Sequence, residues 1–126
     1  MGVFQMSISK FNKGKKFSFN YDSKSIRFLK MADFIKEFGL NVDMIIKSCH
    51  ISHGNYGDGA TFIVKTPAGE IIGINAPKHM VKDVQNILDD NEVIDQIDNE
   101  KAAISAYAYT DRDGNERYSF NFVDLK

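Results

Sequence analysis

Residues 70–99 read EIIGINAPKHMVKDVQNILDDNEVIDQIDN, and this stretch decides the fold. It begins as a strand. Ile71, Ile72 and Ile74 are β-branched and closely spaced, which suits a pleated, half-buried surface. Asn75-Ala76-Pro77 ends it, because proline has no N–H to give a ladder and its fixed φ suits the first turn of a helix. The period then changes. Met80, Val84, Ile87 and Leu88 fall at i, i+4, i+7 and i+8, one stripe of an α-helix. Asp89-Asp90-Asn91 interrupts, and a second short helix turns Val93, Ile94 and Ile97 inward. One helical segment thus separates two sets of strands.

On the N-terminal side, Pro67-Ala68-Gly69 makes a tight turn behind a strand over Ala60–Thr66. His53-Gly54-Asn55-Tyr56-Gly57-Asp58-Gly59 reads as a mobile loop whose glycines allow positive φ. Before it, Val42–Ser52 is a long strand with imperfect alternation, the mark of a bulge or of coiling round a barrel. FLKMADFIKEFG, residues 28–39, predicts a short helix with Met31, Phe34, Ile35 and Phe38 on one side and Gly39 as its stop. Phe4, Met6 and Ile8 alternate, as do Phe17, Phe19 and Tyr21, around a KFNKGKK turn; a β-hairpin, or a β-ribbon that orders only on docking, is expected there.

On the C-terminal side, Lys101–Thr110 is a strand. Ala102, Ile104, Ala106 and Ala108 line one face, and Ala103, Ser105, Tyr107 and Tyr109 line the other. Asp113-Gly114 turns a hairpin, and Arg117–Leu125 follows with Tyr118, Phe120 and Phe122 on one face. The element order is β–β–β–α–β–β. It predicts a mainly β protein, a five-stranded OB-fold Greek-key barrel with the helix between strands three and four. An α+β sandwich with helices on one face has the same element order. The expected layout is a single domain over 1–126, with a basic ribbon or arm over 1–27 and a barrel with a leading helix over 28–126.

At 126 residues and 43% hydrophobic content the chain can bury a core without staples. It has no apolar run near 18 residues and no signal peptide, so a soluble protein of the cytoplasm is expected. The single Cys49 forms no internal disulfide and no cysteine metal site, and reads as a small buried hydrophobe. The net charge of −1 hides an asymmetry. Residues 1–30 carry +6, from Lys10, Lys13, Lys15, Lys16, Lys24, Arg27 and Lys30 against Asp22. The rest carries −7, and Asp83–Glu100 holds seven acidic residues and no basic one. Either two solvated faces of opposite sign result, or a basic arm meets an acidic partner such as nucleic acid.

Patterns that suggest enzymes fail on spacing. His50 and His53 face apart on a strand and do not chelate one metal. Residues 54–59 lack dinucleotide-loop spacing and lead into a strand. Asp111, Asp113 and Asn115 resemble part of a calcium loop, but Gly114 is misplaced and the closing glutamate is absent. Cys49 and His50 face apart. No catalytic role, metal or cofactor is therefore expected.

Single-strand binders combine cations that follow phosphates with rings that stack on bases. An OB-fold offers such groups on strands two and three and on the loops joining strands one–two and four–five. Here the first loop offers His53 and Tyr56, and the other offers Arg112, with Arg117 just beyond. Lys47 and Lys65 point outward if Phe62 and Val64 point in. Tyr107 and Tyr109 avoid the alanine face, and Lys13, Lys15 and Lys16 crown the ribbon. For each aromatic, ordinary packing is the competing reading.

From about Phe28 onward the chain resembles small single-stranded-DNA-binding proteins of phages of low-GC Gram-positive bacteria. The resembling features are FLKMADFIKEFG, INAPKHMVKDVQNIL, DDNEVIDQIDN before a strand, and the YSFNFVD ending. Residues 1–27 lie outside the resemblance. The chain ends as a strand, Val123-Asp124-Leu125-Lys126, where resembling cellular proteins carry a disordered acidic tail. The resemblance implies an OB-fold and single-stranded DNA binding in phage replication or recombination, in the host cytoplasm. The implied partner is single-stranded DNA; phage replication or recombination proteins and further copies of the chain are additional candidates, and the sequence does not give the oligomeric state. The alternative is a phage-encoded inhibitor or replication adaptor that binds a protein through the acidic helix Asp83–Glu100.

Overall fold

The computed structural model describes residues 17–19, 21–22, 24–54 and 57–125. Among them are six strands and three α-helices: β1 (Arg27–Lys30), α1 (Met31–Phe38), β2 (Met44–Gly54), β3 (Gly57–Lys65), β4 (Ile71–Ala76), α2 (Val81–Leu88), α3 (Asn91–Asp98), β5 (Ala102–Thr110) and β6 (Glu116–Asp124). One 3-10 turn, Lys78–Met80, leads into α2. The protein is mainly β, with one sheet in the order β1-β4-β3-β2-β5-β6. Strands β2, β3 and β4 meander antiparallel, and β5 returns after the helices to lie beside β2, which is Greek-key order.

The sheet curls. Phe62 on β3 and Phe120 on β6 lie on strands separated by two others, yet their rings are 5.9 Å apart, edge to face. Phe122 reaches the same Phe62 ring at 6.1 Å, and Phe34 of α1 closes on Phe120 at 5.9 Å. Inside the curl sit Met44, Ile46, Val64, Ile72, Ile74 and Ile104, all fully buried, covered by Val84, Ile87, Ile94 and Ile97 of α2 and α3. The imperfect alternation of β2 is a bulge. Ile46 pairs with Val64 but Ser48 pairs with Ile63, so Lys47 is the extra residue. The inward set accordingly shifts from Met44 and Ile46 to Cys49 and Ile51.

Three expectations are corrected. Among the described residues the sheet has six strands, not five. The sixth, β1, lies where a helix from Phe28 was predicted; the helix begins only at Met31. Arg27–Lys30 pairs parallel with Ile72–Asn75, a long-range contact that overrides the local helical spacing. The expected loop 53–59 is largely ladder: His53 pairs with Asp58 and Gly54 with Gly57. Only residues 55–56, outside the described residues, separate the two strands. The described residues of 17–22 form no strand, and the rest of the expected ribbon lies outside the described residues. Gly39 ends α1 with φ +84°, and its N–H donates to Ile35 at 2.8 Å, as the glycine stop predicts. No described helix is long and apolar enough to cross a membrane.

Candidate nucleic-acid interface

Pro77 stops β4 and starts the 3-10 turn Lys78–Met80. That turn buries Met80 in the core and leaves Lys78 and His79 exposed. Across from it, the β5–β6 ladder sets Tyr109 against Arg117 and Ala108 against Tyr118. Between these elements and the start of α1 runs a surface groove of about 610 Å³, lined by Met31, Asn75, Lys78, His79, Tyr109, Arg117 and Tyr118 among others.

A row of rings leads out of this groove. Tyr107 and Tyr109, two residues apart on one face of β5, have centroids 6.0 Å apart, and His79 meets Tyr109 edge-on at 6.4 Å. His79 is fixed by its Nε2, 2.8 Å from the Ser119 hydroxyl. The Lys78 side chain lies against Gly57, where a Cβ would stand 3.4 Å from Nζ; the cation therefore links the groove to the β2–β3 hairpin.

Arg117 is 57% exposed and donates from Nε to Asp111 at 2.9 Å. The Asp111 carboxylate also accepts the backbone N–H groups of Asp113 and Asn115, so it clamps the turn that carries Arg112. The Arg117 guanidinium and these N–H groups hold Asp111 below the usual carboxylate range. The Tyr118 hydroxyl donates to Glu116 at 2.6 Å, which raises its pKa.

A second group lies on the outer face of β2 and β3. Lys47, on the bulge, and Lys65 both meet Glu100, at 3.3 and 2.5 Å. Lys47 also stands 5.0 Å over the Phe19 ring, which stacks on Tyr21 at 6.3 Å. The Tyr21 hydroxyl lies 3.2 Å from His50 Nδ1. Burial lowers the pKa of His50, which favours its neutral form. Phe28 is 41% exposed, with its ring packed against Gly73.

The predicted residues therefore fall into separate places. Tyr107, Tyr109 and Arg117 come together, with Arg112 exposed in the adjoining turn. Lys47 and Lys65 form the second group. His53 stands at the β2–β3 hairpin end, 78% exposed, with Nδ1 2.6 Å from Asp58. Lys13, Lys15, Lys16 and Tyr56 lie outside the described residues. His50 and His53 have different partners. Cys49 is buried, which pushes its thiol up to about 12 and leaves it unreactive.

Sequence reading missed Lys78, His79, Tyr118 and Phe28. The first two carried a signal: after Pro77, a single turn that buries Met80 must expose its neighbours. Phe28 carried none, because only the pairing of β1 with β4 brings it over Gly73. Compared with known proteins, the chain matches no protein-family model, no curated protein and no solved structure.

Proposed function

We propose that this chain is a sequence-tolerant single-stranded-DNA-binding protein with an OB-type fold and no chemistry of its own. The observation that carries the reading is the Tyr107–Tyr109–His79 row, whose Tyr109 and His79 line, with Lys78 and Arg117, a groove that adjoins both hairpins. Rings at strand spacing suit successive bases, and the flanking cations suit the phosphates between them. Strand order supports the fold. Without β1, the order β4-β3-β2-β5-β6 is a five-stranded Greek key with its helices between the third and fourth strands. Hairpins β2–β3 and β5–β6 then correspond to the loops an OB-fold uses for oligonucleotides. The resemblance of residues 28–126 to small phage single-stranded-DNA-binding proteins points to phage replication or recombination as the setting.

Fluorescence anisotropy with labelled oligo-dT, alongside duplex DNA, tests the reading. Binding to the single strand alone is expected. Tyr109→Ala removes one stacking platform, about 1–3 kcal/mol, and weakens binding about 5- to 150-fold. Well-folded protein that ignores oligo-dT at low salt overturns the reading. The adaptor alternative then takes its place. It is favoured by Phe122, 47% exposed beside an apolar groove of about 280 Å³ between α2, α3 and β6, with Asp83 and Asp124 in its lining.

A further inference from the structure

Helix α3 ends where local rules ask for glycine. The Glu100 N–H donates to the Ile97 carbonyl and the Lys101 N–H to the Gln96 carbonyl, both at 3.0 Å. This is a Schellman end, whose left-handed position glycine usually fills. Here Glu100 takes it, with φ +57°. A side chain there costs about 1 kcal/mol against glycine. What the glutamate gains is visible. One carboxylate oxygen meets Lys65 of β3 at 2.5 Å, and the other meets Lys47 of β2 at 3.3 Å. All three side chains keep solvent access, at 40%, 32% and 15% exposure for Glu100, Lys65 and Lys47.

Two ammonium groups, each on a different oxygen of one anion, is also how two lysines hold the non-bridging oxygens of a phosphodiester. The bulge in β2 makes the convergence possible, because Lys47 is the extra residue and escapes the inward alternation. Phe19 lies under the Lys47 ammonium and supports it from below. We propose that Lys47 and Lys65 form a phosphate-binding pair and that Glu100 is its built-in competitor. The carboxylate occupies the site and withholds the pair from a single strand seated in the Tyr109 groove; its removal lets the strand's own backbone take its place. The inference rests on the proposed DNA binding. Lys65 and Gly57 are the two ends of β3, eight residues apart at about 3.3 Å each. The pair therefore lies about 26 Å from the hairpin end, within reach of a strand a few nucleotides long.

The test uses Glu100→Gly, which removes the carboxylate and gives the left-handed position its preferred residue, so the variant folds. Glu100→Gln, which keeps the side-chain length, serves as its control. Both are compared with wild type for oligo-dT affinity across a salt series. Two released lysines steepen the slope of log K against log salt by about 1.4. The gain of Glu100→Gly over wild type is then about sevenfold larger at 50 mM than at 200 mM salt. Adding Lys47→Ala and Lys65→Ala abolishes the gain. Unchanged affinity and slope in Glu100→Gly overturn the proposal and leave Glu100 a clasp between α3 and the sheet. If no form binds oligo-dT, the DNA reading fails separately, and inorganic tripolyphosphate decides. Saturable binding to Glu100→Gly that disappears without the lysines upholds the pair; its absence overturns it.

Discussion

Gly73 and Phe28 offer a direct test of the strand that the sequence did not reveal. A Cβ built on Gly73 would stand 2.3 and 2.4 Å from two Phe28 ring carbons, where carbon atoms prefer about 3.5–4.0 Å. Gly73→Ala therefore requires the ring to retreat by more than 1 Å, or β1 to slide along β4. Overpacking of this kind costs about 1–3 kcal/mol. The backbone itself accepts alanine, since Gly73 is not among the positive-φ glycines, and the stiffer unfolded chain returns about 0.4–1 kcal/mol. The net loss is about 1–2 kcal/mol, or about 4–8 °C in Tm for a chain of this length. The decisive comparison is a double-mutant cycle followed by urea denaturation. In the Phe28→Ala background the obstacle is gone, and Gly73→Ala becomes neutral or stabilising. The two changes then couple by about 1.5–3 kcal/mol. Equal cost of Gly73→Ala in both backgrounds would refute the parallel pairing of Arg27–Lys30 with β4.

Three further outcomes follow from local chemistry. Asp90→Ala removes the cap that accepts the Glu92 and Val93 N–H groups, and thermal denaturation should register a loss of about 1 kcal/mol. Cys49, with its thiol pushed up to about 12, should resist iodoacetamide in the folded protein and react once denaturant exposes it. Glu37 and Asp111 have folded pKa values depressed, chiefly by hydrogen bonds from Arg27 and Arg117. Their contribution is present above the unfolded carboxyl value of about 4 and is lost as pH falls through the folded values. His50, also depressed, loses its contribution as pH falls below about 6.5. Tm measured across pH should therefore decline in two stages on acidification, and Glu37→Gln should shrink the lower one.

The parts of the fold legible in the sequence are those set by local periodicity. The isoleucines of β4, the stop at Pro77, the stripes of α2 and α3 and the alanine face of β5 all follow from residue spacing, and each lies where it was expected. The bulge was legible as imperfect alternation. What escaped depends on contacts distant in sequence. Arg27–Lys30 has no strand signature of its own and becomes a strand only against β4. The hairpin beyond His53 continues because cross-strand pairing, including His53 with Asp58, extends a ladder through glycines that locally favour a loop. The candidate site was half legible for the same reason. Tyr107, Tyr109 and Arg117 share a face by alternation, whereas His79 joins them only because β4 delivers the 3-10 turn beside β6.

A net charge of −1 is uncommon for the DNA binding proposed here, and salt dependence would show what that means for the mechanism. On the proposed reading the groove would bring two side chains to phosphates, Lys78 and Arg117, the latter exchanging its Asp111 contact, while Glu100 keeps Lys47 and Lys65. Two contacts give a slope of about −1.4, so affinity falls only about sevenfold between 50 and 200 mM salt. Stacking would then dominate: on that reading the rings of Tyr107 and Tyr109 alone would supply about 2–6 kcal/mol, with no dependence on counterions. If Lys13, Lys15 and Lys16 also meet phosphates, five contacts steepen the slope to about −3.5, and the same change in salt weakens binding about 130-fold. The Lys13/Lys15/Lys16→Ala variant separates the two cases. A wild-type slope near −3.5 that returns to about −1.4 in the variant makes the basic segment a working arm. A slope near −1.4 in both makes the groove self-sufficient. A slope that stays steep in the variant would refute the assignment of the phosphate contacts to these lysines and to the groove.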